Sequence, residues 1–459
     1  MAGSCDILVV GAGPGGYAAA LEAAALGQDV VLVEKNLLGG TCLNWGCIPT
    51  KLFLGATQAI AEIRAQSRMR LGTGEFTVDM AALQKRKTSL LNATRQAMTK
   101  SLEAAGVRLI IGRAELHDPD HVLIRTADHT ETRIRFHRLI LALGSVPSWP
   151  ALLKPDGKNV LTSYHVLDLQ IIPESLAVIG AGAIGLEMAQ FFQRMGSKIT
   201  LVEAADRIAP SEDPEICTQL ASILKRQGMD VRAGTAVTGL ERGEDHVRIQ
   251  LSGDQSLDAR MALVAVGRKP NGRFPGLEKA GPANADEMTT MRTDIDLKLA
   301  ERIYAVGDCN GRVLLAHAAE DQGRFAARHA AGKVDGPYAP GAIPFCMYGD
   351  PEVFRVGPTP AEAMRNGLQC SVSRAMLAAN PVAQAAAAPH GLVKILWSGR
   401  KVIGISAVGH GVLHLVASAT IMVDQGWTRS QVEQLIFAHP TLDETLKQAL
   451  LAPQEDVQG

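Results

Sequence analysis

Two stretches of the chain each combine an apolar strand, a glycine-rich turn, a helix and a second strand that ends in a glutamate. This order predicts an α/β protein with two Rossmann-like dinucleotide-binding domains, because each unit of this kind folds as strand, helix and parallel strand. The two glycine turns begin 169 residues apart, at Gly11 and Gly180. A chain of 459 residues is too long for one core and should hold about three domains.

The first stretch lies at the start of the chain. Its parts are the apolar strand 6–10, the turn with Gly11, Gly13 and Gly16, an Ala-rich helix to about Leu26, and the strand 29–33 followed by Glu34. Glycines let the backbone approach a pyrophosphate, and the helix N-terminus attracts its charge. Glu34 is placed to accept hydrogen bonds from a ribose.

The second stretch repeats this order and spacing. Its parts are the strand 175–179, the turn with Gly180, Gly182 and Gly185, a helix, and the strand 198–202 followed by Glu203. A carboxylate at the ribose repels a 2′-phosphate, so NAD is favoured over NADP. Arg207 lies close by in sequence and could bind such a phosphate, which leaves the choice open.

Between the two stretches, the run 40–51 reads GTCLNWGCIPTK. Cys42 and Cys47 are five residues apart, about 7.5 Å along an ideal helix, whereas a disulfide needs Cα atoms within about 7 Å. The bond can close only in a distorted turn, and such a bond exchanges easily. Pro49 suits a first helical position, where backbone amides favour the Cys47 thiolate. Two dinucleotides and a redox disulfide together indicate a flavin and a nicotinamide.

Composition excludes several other classes of protein. The net charge is −1 and 4% of residues are aromatic, which disfavours nucleic-acid binding. Residues 7–27 are almost wholly apolar, with Glu22 as a formal charge. Glycines interrupt them and no basic residue precedes them in 1–5, so we expect no membrane helix or signal and a soluble, cytoplasmic protein. Seven scattered cysteines show no metal-ligand spacing.

Further along, Asp308 ends a short apolar strand and could hydrogen-bond the ribitol chain of a flavin. The helix that begins near residue 315 could stabilise negative charge on a reduced flavin through its N-terminal amides. Contact with a flavin would place this later segment of the chain back in the first domain.

Taken together, these motifs resemble the pyridine nucleotide-disulfide oxidoreductases, over almost the whole chain. The resemblance extends to 266–271, 303–308, 315–323, 351–353 and 439–444. It implies an FAD-binding domain at 1–145 and 272–335, an NAD-binding domain at 146–271, and an α+β interface domain at 340–459 that makes a homodimer with shared active sites. Within the family, the resemblance is to enzymes that oxidise dihydrolipoyl groups, on a carrier protein or as free dihydrolipoamide, and reduce NAD⁺.

The resemblance also implies roles for individual residues. His439 of one subunit would deprotonate the dithiol at the other subunit's disulfide, with Glu444 fixing the histidine tautomer. Cys42 would be the sulfur attacked, Cys47 would face the flavin, and Lys51 near the flavin would pair with Glu187. The remaining implied cofactor contacts are Lys35, Gly40, Thr41, Ala114, Ser145, Ala316 and Gly267.

The chain departs from the family pattern at four positions without losing a group that the reaction needs. These are Leu143 and Gly349, where threonine is usual, Phe437 in place of a second histidine, and His414 in place of an acidic residue. The departures leave the dithiol substrate and its carrier open. One alternative is an NAD-linked reductase of another low-molecular-weight disulfide. Another is a flavoprotein subunit that mainly docks on a large assembly.

Overall fold

The computed structural model of the protein describes residues 2–280 and 289–457. Residues 281–288, which fall in the second expected FAD-binding segment, lie outside this description. The α-helices are α1 (Pro14–Ala25), α2 (Gly40–Trp45), α3 (Cys47–Ala56), α4 (Gln58–Arg68), α5 (Met80–Ala104), α6 (Ser163–Val166), α7 (Ala183–Arg194), α8 (Pro214–Arg226), α9 (Ala316–Ala330), α10 (Pro360–Arg365), α11 (Pro381–Ala385), α12 (Val416–Asp424), α13 (Arg429–Gln434) and α14 (Asp443–Leu451).

The two strand pairs expected at the glycine motifs are present. The strands of the described residues follow in chain order. They are β1 (Ala2–Val10), β2 (Val30–Glu34), β3 (Arg108–Ile111), β4 (Arg113–Asp118), β5 (His121–Arg125), β6 (Glu131–Leu141), β7 (Ser145–Pro147), β8 (Val160–Leu161), β9 (Ser175–Ile179), β10 (Lys198–Val202), β11 (Asp230–Arg232), β12 (Val237–Arg242), β13 (Val247–Leu251), β14 (Gln255–Ala259), β15 (Met261–Val264), β16 (Arg268–Pro270), β17 (Lys298–Ala300), β18 (Ile303–Ala305), β19 (Pro344–Met347), β20 (Glu352–Val356), β21 (Ser371–Met376), β22 (Leu392–Ser398), β23 (Lys401–Gly409) and β24 (Glu455–Asp456).

The chain divides into two compact units, which are described separately. The first unit contains residues 1–49, 84–148 and 268–340. Its main sheet has the order β17-β18-β6-β1-β2-β3, with β5 and β4 continuing from β6. Strands β18, β6, β1, β2 and β3 run parallel, as in a doubly wound fold. Apolar residues of β1 and β2 are buried on both faces of the sheet. Ile7 and Leu32 share a core with helix residues such as Ala19, whereas Leu8 and Val31 share a core with strand residues such as Val122.

Helices α1 and α9 pack closely in the first unit, and small residues make this possible. A Cβ atom on Gly323 would lie 2.1 Å from the carbonyl oxygen of Gly15. Alanines fill most of the remaining contact, including Ala19 and Ala326, which are both inaccessible to solvent. The close approach places the N-terminus of α9 on the same side of the sheet as the glycine turn of α1.

The second unit contains residues 50–83, 149–267 and 341–459. Its parallel sheet has the order β11-β10-β9-β15-β8, and its antiparallel sheet has the order β19-β20-β23-β22-β21-β24. One apolar core joins residues of both parts, for example Phe191, Leu263, Val353 and Val408. The α/β class with two Rossmann-like folds and an α+β C-terminal part is confirmed. In the described ranges, no helix is both long and apolar enough to cross a membrane.

Candidate active site

The first glycine motif forms a tight turn between β1 and α1. Gly11 has a φ of +98°, which only glycine adopts without strain. A Cβ on Gly16 would lie 1.8 Å from the Gly11 carbonyl oxygen, so the helix can start there only with glycine at this position. Gly13 is the N-cap residue of α1. The turn therefore exposes backbone N–H groups at a helix N-terminus, the arrangement that binds a pyrophosphate.

Glu34 closes this turn from the end of β2. Its side chain is buried, with one carboxylate oxygen accepting from the Ala12 N–H at 2.8 Å and the other from the Asn36 N–H at 2.9 Å. Each carboxylate oxygen has a second lone pair, so these two bonds leave acceptors for ribose hydroxyls. These two backbone N–H groups fix the position of the Glu34 carboxylate.

The second glycine motif repeats this geometry. Gly180 has a φ of +100°, Gly182 is the N-cap of α7, and a Cβ on Gly185 would lie 2.0 Å from the Gly180 carbonyl oxygen. Glu203 accepts from the Ala181 N–H at 2.8 Å and from the Ala205 N–H at 2.9 Å. Both turns lack the volume for side chains and carry a held carboxylate, so both fit a dinucleotide.

In the first unit, the strand pair β7–β16 brings together residues far apart in sequence. Arg268 donates through Nε to Ser145 Oγ and through Nη2 to the Ser145 carbonyl, both at 2.8 Å. Ser145 Oγ in turn donates to Asp308 Oδ2. Two of the expected cofactor residues, Ser145 and Asp308, are thus joined directly. Asn271 bonds the Leu143 carbonyl at 2.8 Å, so the unusual residue at 143 keeps its backbone anchored.

The cysteine pair spans a break between two helices. Cys42 lies in α2 and Cys47 is the first residue of α3, with Gly46 between the helices at φ −146° and ψ −111°. The helix begins at Cys47, two residues before Pro49, so the expectation that Pro49 starts it is corrected. The break supplies the distortion that the spacing requires, and the pair lies near disulfide distance.

Asn44, between the two cysteines, fixes the backbone of this segment. Its buried amide donates to the carbonyls of Leu38 and Gly40 at 2.9 Å and accepts from Arg95. Gly40 itself comes close to the first glycine motif, since a Cβ there would lie 2.8 Å from the Gly13 Cα. Gly40 and Thr41 are therefore held next to the turn that fits a pyrophosphate.

The other five cysteines have raised thiol pKa values. Burial raises the thiol pKa of Cys5 to about 12 and that of Cys217, Cys309 and Cys346 to about 11. Burial also raises the pKa of Cys370. A raised pKa disfavours the thiolate and hence nucleophilic reaction. Cys5, Cys217 and Cys309 are buried, whereas Cys346 and Cys370 are partly exposed.

In the second unit, Lys51 and Glu187 form an ion pair. The Lys51 ammonium lies 2.9 Å from both carboxylate oxygens of Glu187, which is 4% exposed. Glu187 also accepts from the Tyr348 N–H at 3.1 Å, and the Tyr348 ring centroid lies 4.3 Å from the Lys51 nitrogen. Lys51 is one turn after Cys47 in α3.

The segment after β19 is held by α7 at two points. Gln190, three residues after Glu187, accepts from the Asp350 N–H at 2.6 Å. Gly349, which precedes Asp350, has a φ of +140°. A Cβ there would lie 2.4 Å from both Oε1 and Nε2 of the Gln190 side chain. The backbone conformation favours glycine here, and the close approach to Gln190 adds to this preference.

His439 and Glu444 form the second predicted pair. His439 Nδ1 lies 3.1 Å from both carboxylate oxygens of Glu444, and the histidine is exposed. The hydrogen bond with His439, followed by that from the Thr441 N–H, lowers the pKa of the Glu444 carboxyl. Because the carboxylate holds Nδ1, Nε2 is the ring nitrogen that could act as a base.

The other predicted cofactor residues are described by their place in the backbone. Lys35 is exposed immediately after Glu34, and Ala114 pairs with Ile124 across β4 and β5. Ala316 is the first residue of α9, and Gly267 has a φ of +125°. These positions remain predictions.

Sequence reasoning missed the buried amides that fix the site. Gln322 on α9 is 1% exposed and accepts from the Gly307 N–H at 2.8 Å and from Asn310 at 2.7 Å. Asn44 and Gln190 act similarly, and Tyr348 contacts the ion pair. Polar residues on otherwise apolar helix faces were the available signal, but their partners lie far away in the sequence.

Fold and site together define a class of protein: two dinucleotide-binding folds and a cysteine pair make a disulfide oxidoreductase. The chain belongs to the pyridine nucleotide-disulphide oxidoreductase family, whose model matches residues 5–323, with the family's dimerisation domain at 343–450. Membership implies FAD and NAD(H) as cofactors. The dimerisation domain supports formation of a homodimer.

Curated relatives match over nearly their full length. The chain is 34% identical over 456 residues to the dihydrolipoyl dehydrogenase of Chlorobaculum tepidum, covering 98% of this chain and 97% of that protein. It is 33% identical over 456 residues to a dihydrolipoyl dehydrogenase of Bacillus subtilis, covering 97% and 98%.

Solved structures show the same fold. LpdA from Mycobacterium tuberculosis matches with a TM-score of 0.88 and 26% identity, covering 97% of this chain and 99% of that one. RclA from Escherichia coli, an HOCl-induced flavoprotein disulfide reductase, matches with a TM-score of 0.84, 26% identity and the same coverage.

Proposed function

We propose that this enzyme oxidises dihydrolipoyl dithiols to the cyclic disulfide and reduces NAD⁺. The relatives named dihydrolipoyl dehydrogenase support this assignment. The observation that carries it is the His439–Glu444 pair, because a dithiol substrate needs a base to form its attacking thiolate.

The protein side of the reaction follows from thiol–disulfide exchange. His439 of one subunit takes a proton from one substrate thiol at the disulfide of the other subunit. The thiolate attacks the Cys42 sulfur, the Cys42–Cys47 bond breaks, and Cys47 leaves as a thiolate. The second substrate thiol, deprotonated in turn, attacks the mixed disulfide and displaces Cys42. Two electrons and two protons have then left the substrate.

Bound FAD and NAD⁺ supply the two-electron chemistry that carries these electrons to NADH. For the first dinucleotide we propose contacts by Gly11, Gly13, Gly16, Glu34, Lys35, Gly40, Thr41, Lys51, Ala114, Ser145, Asp308 and Ala316. For the second we propose contacts by Gly180, Gly182, Gly185, Glu203 and Gly267.

The preference for NAD over NADP is part of the proposal. Glu203 presents a fixed negative charge at the ribose position. Arg207, the cation that could have bound a 2′-phosphate, pairs instead with Asp206 at 3.1 Å. A second carboxylate at this loop further disfavours a phosphate.

We propose the domain division 1–145 with 272–335 for FAD, 146–271 for NAD and 340–459 for the interface. The dimerisation-domain model at 343–450 supports a separate C-terminal interface domain, whereas the first family model spans 5–323 without a boundary between the two nucleotide-binding domains. We further propose a lipoylated carrier protein as the physiological substrate, a cytoplasmic location, and no nucleic-acid or membrane partner.

The test is to mix the purified FAD-loaded enzyme with dihydrolipoamide and NAD⁺ and to follow NADH absorbance. His439→Gln should lower this rate by about 10²–10⁴-fold, the usual contribution of a general base. The same variant should still pass electrons from NADH to an artificial acceptor that takes them from the flavin, because that route needs no dithiol. His246→Gln, at an exposed position between β12 and β13, serves as the histidine control.

The alternatives make different predictions in this assay. A reductase of another low-molecular-weight disulfide would be reduced by NADH but would not use dihydrolipoamide. A mainly docking subunit would bind lipoylated protein in a pull-down while turning over poorly. The first result would reject the proposed substrate, the second would reject its oxidation as the main role, and both would retain the family.

A further inference from the structure

Tyr348 touches both members of the Lys51–Glu187 ion pair. Its ring lies against the Lys51 ammonium, with 4.3 Å between the nitrogen and the ring centroid. Its backbone N–H donates to Glu187 Oε1 at 3.1 Å. An aromatic face attracts a cation, and the N–H occupies one lone pair of the carboxylate. The ammonium is therefore held from two directions.

Packing in an apolar core does not account for Tyr348. The residue is 38% exposed, whereas Glu187 is 4% exposed. The apolar strand β19 ends one residue earlier, at Met347. At this position the ring presents its π face to the Lys51 ammonium.

The backbone around Tyr348 is fixed well enough for it to position another residue. Glu187 and Gln190 lie three residues apart on one face of α7 and accept from the N–H groups of Tyr348 and Asp350. Gly349 fits between these two bonds against the Gln190 amide. The helix of the second glycine motif thus holds Tyr348 in place.

We propose that Tyr348 is a positioning residue that holds the Lys51 ammonium at one place beside the flavin. The inference rests on the proposed cofactor-facing role of Lys51 and adds the group that fixes its charge. Glu187 supplies the opposite charge and Tyr348 the π face, so Lys51 keeps its position without being neutralised by a second carboxylate.

The test measures the midpoint potential of the bound flavin in the full-length FAD-loaded protein. Both Cys42 and Cys47 are replaced by serine, so that the flavin is the only two-electron centre. The series comprises Tyr348→Phe, Tyr348→Leu, Lys51→Met and the double variant Tyr348→Leu/Lys51→Met, with Tyr164→Leu as the matched control in the same unit. Thermal midpoints confirm that each variant is folded.

We expect Lys51→Met to lower the potential, because a cation stabilises the negative charge of a reduced flavin. Tyr348→Leu should shift the reduction equilibrium in the same direction by about two- to fivefold, roughly 9–20 mV for a two-electron couple. Tyr348→Phe and Tyr164→Leu should match the unsubstituted protein. In the Lys51→Met background, Tyr348→Leu should add nothing.

Three results would overturn the inference: no shift in Tyr348→Leu, an equal shift in Tyr348→Phe, or a shift that persists without Lys51. An unchanged potential in Lys51→Met would overturn it together with the cofactor-facing role of Lys51. Failure of the proposed substrate is seen separately, as no NADH from dihydrolipoamide in the enzyme with both cysteines intact.

Discussion

The Lys51 ammonium lies 2.9 Å from both carboxylate oxygens of Glu187, a residue 136 positions away in sequence. The carboxylate is almost fully buried, while a third of the lysine side chain is exposed. The two partners therefore differ in how well water could solvate either one alone. The difference in burial predicts which of the two substitutions lowers the stability of the protein more.

Lys51→Ala should destabilise the protein more than Glu187→Gln. It leaves a buried carboxylate without its cation, at a cost of about 2 kcal/mol after allowance for the exposure of Lys51. The measurement is the thermal midpoint with excess FAD, which should fall by a few degrees. Lys225→Ala, an exposed lysine of the same unit, should leave it unchanged. A larger loss in Glu187→Gln would contradict the argument.

Restoring the family's threonine at position 349 should also destabilise the protein. Gly349→Thr combines a φ of +140° with a clash against the Gln190 amide, and we expect a loss of about 2 kcal/mol. Gly349→Ala with Gln190→Ala should cost less than the sum of the single changes in denaturation, because the clash is relieved. Gly367→Ala, at φ +77° in open space, isolates the backbone strain. Additive losses would show that the contact is unimportant.

Ser145→Ala should weaken FAD retention. The hydroxyl links Arg268 to Asp308, and its loss leaves both partners with one hydrogen bond fewer. A lost bond of about 1 kcal/mol corresponds to a roughly fivefold higher FAD dissociation constant, measurable by flavin fluorescence. Ser148→Ala, three residues on, should retain FAD normally. Equal retention in both variants would remove Ser145 from the site.

The His410–Asp350 contact, at 3.1 Å, predicts a pH dependence of stability. The hydrogen bond to Asp350 raises the pKa of His410 against the opposing effect of burial. The pair therefore stabilises the fold fully below the ordinary histidine pKa of about 6.5 and loses this effect as pH rises through the higher folded value.

Denaturation at a series of pH values checks this sign. Asp350→Asn should lose stability relative to the unsubstituted protein at pH 6, and the difference should shrink as pH rises. Asp456→Asn, on an exposed strand, should show no such trend. A difference that grows with pH would mean that the pair does not hold a protonated histidine.

Local sequence was sufficient for the glycine motifs, their glutamates and the cysteine pair. At these sites the constraints lie within a short segment: Gly11 needs a positive φ, Gly16 must have no Cβ, and Glu34 follows a buried strand. The helix boundary at Cys47 was missed because Pro49 suits several positions of a first turn, and the break depends on Gly46.

Contacts between distant segments could not be read from the sequence. Tyr348 and Gln190 acquire their partners only when β19 packs on α7, and no periodicity encodes that approach. The division into two compact units could not be predicted either, since residues 50–83 join the second unit although they lie between segments of the first. Tertiary packing decides such placements.

The carboxylates of Glu34 and Glu203 are each tied to an alanine amide of their own turn, at the same distance of 2.8 Å. Each receptor is thus shaped before its nucleotide arrives, and ligand binding need not pay to order a loose acid. Because each glutamate is held by its own turn, one nucleotide-binding turn can be altered without changing the other. A new cofactor preference could evolve at one turn without disturbing the other.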